Sequence, residues 1–463
     1  MTKKSNFKFI DLFAGLGGFH VAMSQIGGEC VFASDKESDL RKLYKINHHV
    51  NGEIAGDITQ VDFTTIPQHD VLCAGFPCQP FSQAGKREGF KDKERGNLFD
   101  EICAIISAQG ENRPRYLLLE NVANLKGHDE GNTWKTIEKK LDALGYEVDE
   151  KILSPHQFGI AQHRKRIYIV GARKDQGGLK DFHFPEPDSS DDCSIYSYIN
   201  EDETDIQPLR LETLSQLKVW QEFVDYCIKY NGSVPRFPIW AMEFGADYPY
   251  ADTVPAFLDK EDLIGHRGKL GRIIDGDTLR ECLDQLPVYA QTSKSKVFPN
   301  WKIRYITQNR EFYHANKKWL DKWLKKIEHY ENSHMKLEWN CGKENVIKIK
   351  ENIIQFRASG IRVKLPTFSP ALNLCGTQVP ILPWVKLPEK CIPLYSGEDL
   401  KKYGLTLEDI KYGRYLSVHE AAALQGMETL KFDTLSKNRA YAALGNAVNT
   451  QVVKYIATNL IKI

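Results

Sequence analysis

The feature that most constrains this chain is an apolar run that ends in glycine. Phe9-Ile10-Asp11-Leu12-Phe13-Ala14-Gly15-Leu16-Gly17-Gly18 reads as a buried strand passing into a turn that opens a helix, a place where backbone approaches a ligand closely. Apolar strand candidates at 7–13, 30–34, 70–74, 116–119 and 167–171 have helical stretches between several of them. That alternation predicts an α/β fold, a mostly parallel sheet with helices on its faces and ligands at the carboxyl ends of the strands. After about residue 175 the pattern breaks, and 181–205, rich in Asp, Ser, Pro and Glu, reads as linker. Farther on, an amphipathic helix is expected over 317–330, another behind a Ser417 cap with Glu420 three residues on, and a last one over 448–461.

The glycine turn selects among ligands. A dinucleotide fingerprint needs a third glycine where His20 stands, so an adenosyl ligand without phosphates fits better than a pyrophosphate. Asp35, at the end of the next strand, stands where a carboxylate accepts hydrogen bonds from both ribose hydroxyls, and Asp57 offers an acceptor for an adenine amino group. The plainer reading is a tight turn with Asp35 as a helix cap.

Three more segments put chemistry at strand ends. The strand over 70–74 runs into Gly75-Phe76-Pro77-Cys78-Gln79-Pro80, which sets a thiol on a proline-flanked turn. A free thiol with a pKa of about 8.5 needs helix-end dipoles or cations to become a thiolate, and Arg87, Arg95, Arg164 and Arg166 are candidates. The alternative is a buried cysteine acting as a small hydrophobe. Leu117-Leu118-Leu119-Glu120-Asn121-Val122 delivers a carboxyl group that a dry pocket would protonate, or that merely caps a strand. In Gln162-His163-Arg164-Lys165-Arg166 the two arginines fall on one side of extended backbone. The glycines and cations of 83–97 suggest a basic loop able to close over a phosphate backbone.

Composition enters through charge. The net charge of +1 over 463 residues hides a polarised middle: 17 acidic against 5 basic residues over 186–262, then 21 basic against 11 acidic over 266–364. The basic half, with Trp301, Tyr305, Phe312, Trp319 and Trp323, is the expected nucleic-acid face. Ten cysteines without a C-x-x-C pair argue for a reducing compartment rather than a disulfide framework. Neither a membrane span nor a signal peptide is expected, since no apolar run approaches ~18 residues.

Together these segments resemble the DNA (cytosine-5) methyltransferases of the bacterial modification type. The resemblance covers 7–175 and 414–463 and rests on the order of the Phe13 to Gly18 turn, Pro77-Cys78-Gln79, Glu120-Asn121-Val122, Gln162 to Arg166, Arg414 to Gly426 with Glu420 and Gln425, and Gly445-Asn446-Ala447-Val448. It implies a Rossmann-like methyltransferase sheet over 1–183, a smaller, irregular target recognition domain over 184–435, and a segment over 436–463 returning to the first domain. The implied reaction carries a methyl group from S-adenosylmethionine, leaving S-adenosylhomocysteine, to carbon 5 of a flipped cytosine through a covalent Cys78 adduct, without metal. Cys78, Glu120, Arg164 and Arg166 are the implied catalytic residues. The implied cofactor contacts are Phe13, Leu16, Gly18, Asp35, Lys36, Asp57, Ile58, Pro77, Leu98, Asn446 and Val448. The implied setting is a cytoplasmic monomer on double-stranded DNA, with a restriction endonuclease acting separately. Methylation of tRNA cytosines and a non-catalytic DNA-binding regulator are the alternatives. Two departures from the family pattern are Asp35-Lys36, where Glu and an apolar residue are common, and Ser369-Pro370-Ala371-Leu372, which lacks the usual threonine.

Overall fold

The computed structural model describes residues 7–77, 98–187, 193–342, 348–372 and 378–461. Cys78 and the basic loop over 83–97 lie outside them. The chain divides into two compact units, one of 1–200, 367–377 and 417–463, the other of 201–366 and 378–416. These divisions fall at 200/201 and 416/417, where the sequence reading draws its boundaries at 183/184 and 435/436.

The first unit opens with β1 (Phe7–Leu12), α1 (Gly18–Gln25), β2 (Gly28–Ser34), α2 (Ser38–His48), β3 (Val71–Gly75), α3 (Leu98–Ala108), β4 (Tyr116–Val122), α4 (Asn132–Ala143), β5 (Tyr146–Leu153), the two-residue β6 (Gln162–His163) and β7 (Arg166–Arg173). Six of these strands form one sheet in the order β2-β1-β3-β4-β7-β5. β1 to β4 are parallel, whereas β7 runs antiparallel to both β4 and β5. The reversal matters, because it brings the start of β7 to the edge where the other strands end: Arg166 stands opposite Val122 and Leu153.

Strand order reverses between β1 and β3, and the crevice outside the carboxyl ends of such neighbours is where doubly wound sheets hold ligands. Alternate residues of the central strands feed two cores. Phe7, Phe9, Val71, Cys73 and Leu118 pack on one face, and Ile10, Leu12, Leu72, Ala74, Leu117 and Leu119 on the other, against α3 and α4 residues such as Phe99 and Ile137.

The second unit contributes α5 (Leu211–Asn231), β8 (Ile239–Trp240), α6 (Leu279–Asp284), α7 (Val288–Gln291), α8 (Asn300–Leu324), β9 (Lys336–Asn340), β10 (Ile353–Arg357) and β11 (Gly360–Lys364). After β12 (Ser369–Pro370), which pairs with β6 in the first unit, it resumes with β13 (Ile381–Lys386), α9 (Gly397–Lys402) and β14 (Tyr412–Tyr415). Its sheet has the order β14-β13-β10-β11-β9-β8, and Trp220, Phe223, Phe244, Trp319 and Trp323 dominate its core. The helix expected over 317–330 begins at Asn300 and ends at Leu324.

The chain closes in the first unit with α10 (Val418–Ala423), capped by Ser417 and Glu420 as a reciprocal box, then α11 (Lys437–Asn446) and α12 (Thr450–Leu460). Val452, Val453, Ile456, Ala457 and Leu460 of α12 complete the core beside α1. Among the described residues no helix is long and apolar enough to cross a membrane.

Candidate functional site

The turn after β1 is built from positive-φ residues, Phe13 at 56°, Gly15 at 55° and Gly17 at 82°. For Phe13 this is a sparsely populated conformation, the kind of strain that persists only where the surroundings enforce it. Here the enforcing contacts are Ala14 N–H to the Ser34 carbonyl at 2.9 Å, Gly17 N–H to the Ala14 carbonyl at 2.7 Å and Gly15 N–H to Asp35 Oδ2 at 2.8 Å. Asp35 Oδ1 also accepts from Glu37 N–H at 2.8 Å. Burial raises the Asp35 carboxyl, and these two backbone donors pull it back.

The glycines are needed for different reasons. A Cβ on Gly18 would come within 2.6 Å of Val448 Cγ2, whereas one on Gly15 would meet none of the described residues within 4 Å, so among them the turn is tight at Gly18 and open at Gly15. Leu16 is buried beneath it, and Phe13, Ile58 and Leu98 share one apolar cluster. Asp57 caps a short turn, accepting from Thr59 N–H at 3.1 Å, and its Oδ2 lies 3.6 Å from the exposed Lys36 ammonium. The Thr59 hydrogen bond, more than Lys36, holds its carboxyl below the usual range. Asn446 donates its side-chain amide to the Ala442 carbonyl of its own helix at 3.0 Å.

Two histidines hold the turn from below. His48 Nε2 lies 3.0 Å from the Leu16 carbonyl, so that nitrogen carries the proton. His20, where a dinucleotide site needs glycine, stacks on His48 with ring centroids 4.1 Å apart, and its Nδ1 is 2.7 Å from the Tyr44 hydroxyl. That hydroxyl donates to the buried Asp11 at 3.3 Å. Burial, then the neighbouring His48, push the His20 pKa down to about 3 from 6.5. A depressed folded-state pKa supplies stability above about pH 6.5 that is lost as pH falls toward about 3. The urea midpoint should therefore decline across this window, and His20→Phe should flatten the decline. An unchanged slope would remove His20 from that account.

At the ends of β3 and β4 the second cluster forms. Glu120 is 6% exposed, and its Oε1 lies 3.0 Å from Arg166 Nε, within ion-pair distance but outside hydrogen-bond geometry. Burial drives the Glu120 carboxyl upward against the opposing pull of Arg166 and Arg164. A carboxyl so placed can hold a proton and donate it. Asn121, absent from the sequence-derived site, is buried and donates from Nδ2 to the Phe76 carbonyl at 3.0 Å, which fixes the turn leading into Pro77. Pro77 itself is exposed at the edge.

Arg164 and Arg166 do different work. The Arg164 guanidinium, 2% exposed, donates from Nη2 to the carbonyls of Gly445 at 3.0 Å and Ala447 at 2.7 Å, clamping the segment that carries Val448. Gln425 and Asn449 support the same segment, donating to the carbonyls of Leu444 at 3.1 Å and Leu424 at 3.0 Å. No local pattern announces these contacts, because each partner lies far along the chain.

The expected nucleic-acid face changes. Trp319 and Trp323, 8% and 1% exposed, are core residues, and Phe312 packs against them. They are buried because α8 lays that stripe against α5, so they cannot line a surface. Trp301, 49% exposed, and the half-buried Tyr305 remain available.

Residues 7–229 match the family model described as C-5 cytosine-specific DNA methylase. The chain is 43% identical over 183 residues to the Type II methyltransferase M.HhaI of Haemophilus parahaemolyticus, covering 40% of this chain and 54% of that protein. It is 47% identical over 183 residues to M.MspI of a Moraxella species, covering 40% and 42%. With M.HaeII of Haemophilus aegyptius the identity is 39% over 260 residues, covering 53% of this chain and 76% of that protein. For the first two, the match spans about half the relative's length.

Proposed function

The chain belongs to the C-5 cytosine-specific DNA methylases, and from that premise we propose that it methylates carbon 5 of a cytosine flipped out of duplex DNA, using S-adenosylmethionine. The observation that carries this reading is the convergence at one sheet edge of the open glycine turn, the buried Glu120–Arg166 pair and the Phe76–Pro77 turn that leads into Cys78.

The residues present fit the methyl donor. Among the described residues the turn is open at Gly15, Asp35 and Asp57 stand beside it with Asp57 near the Lys36 ammonium, Glu37 is paired with Arg439, and Arg41 donates to the Asp35 and Lys36 carbonyls. An open turn with the Asp35 carboxylate at its side suits an adenosyl group, whose ribose hydroxyls can donate to that carboxylate. Phe13, Leu16, Gly18, Asp35, Asp57, Ile58 and Val448 would hold it, with Pro77 and Leu98 at the margin. When bound, S-adenosylmethionine supplies an electrophilic methyl group.

The protein's task is to make carbon 5 nucleophilic. In our reading the Cys78 thiolate adds to carbon 6, while protonated Glu120 donates to ring N3 and stabilises the electron density pushed there. Arg166 holds the O2 carbonyl and keeps Glu120 oriented. Arg164 acts through the backbone it clamps. Once carbon 5 is methylated, loss of its proton and expulsion of the Cys78 sulfur release 5-methylcytosine. Flipping costs a few kcal/mol of stacking and pairing, to be offset by contacts to the DNA backbone. The cellular role we propose is modification of the sites that a separate endonuclease would cut.

Sequencing methylated cytosines in DNA from cells expressing the chain tests the reading: modification at one short sequence supports it, and unmodified DNA beside soluble protein contradicts it. Competition between duplex DNA and tRNA for labelled methyl incorporation separates the RNA alternative. Asp35→Ala should weaken cofactor binding by about 10- to 100-fold, the scale of one or two charge-assisted hydrogen bonds, with little effect on DNA affinity. Calorimetry showing equal cofactor affinity would contradict the ribose assignment.

A further inference from the structure

The second unit holds two ammonium groups on one aromatic platform. Lys302 Nζ, in the first turn of α8, lies 5.4 Å from the Tyr289 ring centroid, 4.6 Å from Phe298 and 5.7 Å from Trp301. Lys336 Nζ, at the start of β9, lies 5.5 Å from the same Tyr289 centroid and 5.2 Å from Trp240. Among the described residues neither ammonium has a carboxylate within ion-pair distance or a hydrogen-bond acceptor.

The platform is rigid. The Tyr289 hydroxyl donates to Glu243, a fully buried carboxylate that also takes the Tyr248 hydroxyl and Arg310 Nε at 2.9 Å. Tyr289 thus cannot swing aside without breaking a hydrogen bond to a buried carboxylate.

The carboxylate nearest in the sheet is already engaged. Leu337, Ile361, Val363 and Ile354 face the core, and the alternate positions place Lys336, Glu338, Arg357, Arg362 and Lys364 on the opposite face. Glu338 binds Arg357 at 2.6 Å and Arg362 at 3.0 Å, so this carboxylate is already shared between two guanidiniums. Burial, and for Lys336 also the charge of Lys302, pushes both lysines below their ordinary range, so an arriving anion would relieve an existing repulsion.

We propose that Lys302 and Lys336 form a phosphate-binding subsite for the sugar–phosphate backbone of duplex DNA, with the exposed Trp301 ring beside it. The assignment rests on the methylase reading for its choice of nucleic acid. Lysine suits the role as a point charge, the aromatic rings hold its ammonium in place, and among the described residues neither ammonium has a competing carboxylate within ion-pair distance. Lys317 differs, since it is already spent on Asp321 at 2.8 Å and on the Tyr313 hydroxyl at 2.9 Å.

The test uses the full chain and a duplex oligonucleotide, with binding followed by anisotropy across a potassium chloride series. Lys302→Met and Lys336→Met should each lower the slope of log affinity against log salt by about 1, and the double variant by about 2, whatever the DNA sequence. Lys317→Met should leave it unchanged. Acylation of the wild-type protein, read by mass spectrometry, should show Lys302 and Lys336 shielded by duplex while Lys317 stays reactive. This measurement decides the matter if a variant fails to fold. A wild-type protein that binds and methylates duplex DNA with both lysines unshielded and the slopes unaltered overturns the subsite alone. A wild-type protein with no affinity for duplex overturns the subsite and the methylase reading together.

Discussion

Cys78→Ser is expected to lower methyl transfer by about 10⁴-fold or more while leaving cofactor and DNA affinity within about twofold, because in our reading the residue acts on the reacting carbon and not in ground-state binding. Carbon 6 of cytosine is a weak electrophile, and its partner must be both nucleophilic and ionised near neutral pH. A thiol with a pKa of about 8.5 can be brought there by nearby cations, whereas an alcohol cannot. The residue directly follows the exposed Pro77, and the Asn121 amide holds the Phe76 carbonyl just before it. Incorporation of a labelled methyl group checks the rate, and titration calorimetry checks that binding survives. Turnover within tenfold of wild type would remove Cys78 from the mechanism.

The second large effect falls on Glu120. Glu120→Gln should reduce kcat by about 10²- to 10⁴-fold, the usual contribution of a positioned proton donor. The pH dependence gives the sharper test. Burial raises the Glu120 carboxyl, and the active form in our reading is the protonated one, so the wild-type rate should fall as pH rises through that elevated value. Glutamine does not titrate, and its residual rate should lack this alkaline decline. A variant with an undiminished decline would show that another group sets it. Since Glu120 is buried beside Arg166, a melting curve should accompany the assay to separate any loss of stability from loss of the proton donor.

Much of the first unit was legible because its central strands are largely buried on both faces and bounded by turn residues. The runs at 7–13, 30–34, 70–74, 116–119 and 167–171 match β1, β2, β3, β4 and β7 in position. β5 escaped notice: Tyr146-Glu147-Val148-Asp149-Glu150-Lys151-Ile152-Leu153 is an edge strand with its polar residues half-exposed, and its charges blur the alternation. The second sheet was illegible for a related reason, since β8 has only two residues and β9 to β11 interleave charged and polar residues with their core positions, so no continuous apolar run marks them.

The candidate site divides in the same way. The glycine turn, Asp35, Glu120 and Arg166 were visible because strand ends deliver them. The antiparallel course of β7, which places Arg166 beside Glu120, was not visible, nor was the Arg164 clamp on carbonyls 281 and 283 residues away. His48 gave no signal either, because its role is a single bond to the Leu16 carbonyl. The aromatics of α8 looked like one set in the sequence. Packing against α5 separates them into core and surface.

The whole account turns on a bond between the Cys78 sulfur and carbon 6 of the target base. Duplex DNA carrying 5-fluorocytosine at the modified position blocks the final proton loss, so the protein incubated with it and S-adenosylmethionine should form a stable adduct that digestion and mass spectrometry locate at Cys78. An enzyme that methylates ordinary duplex yet yields no adduct, or an adduct at another residue, would contradict it.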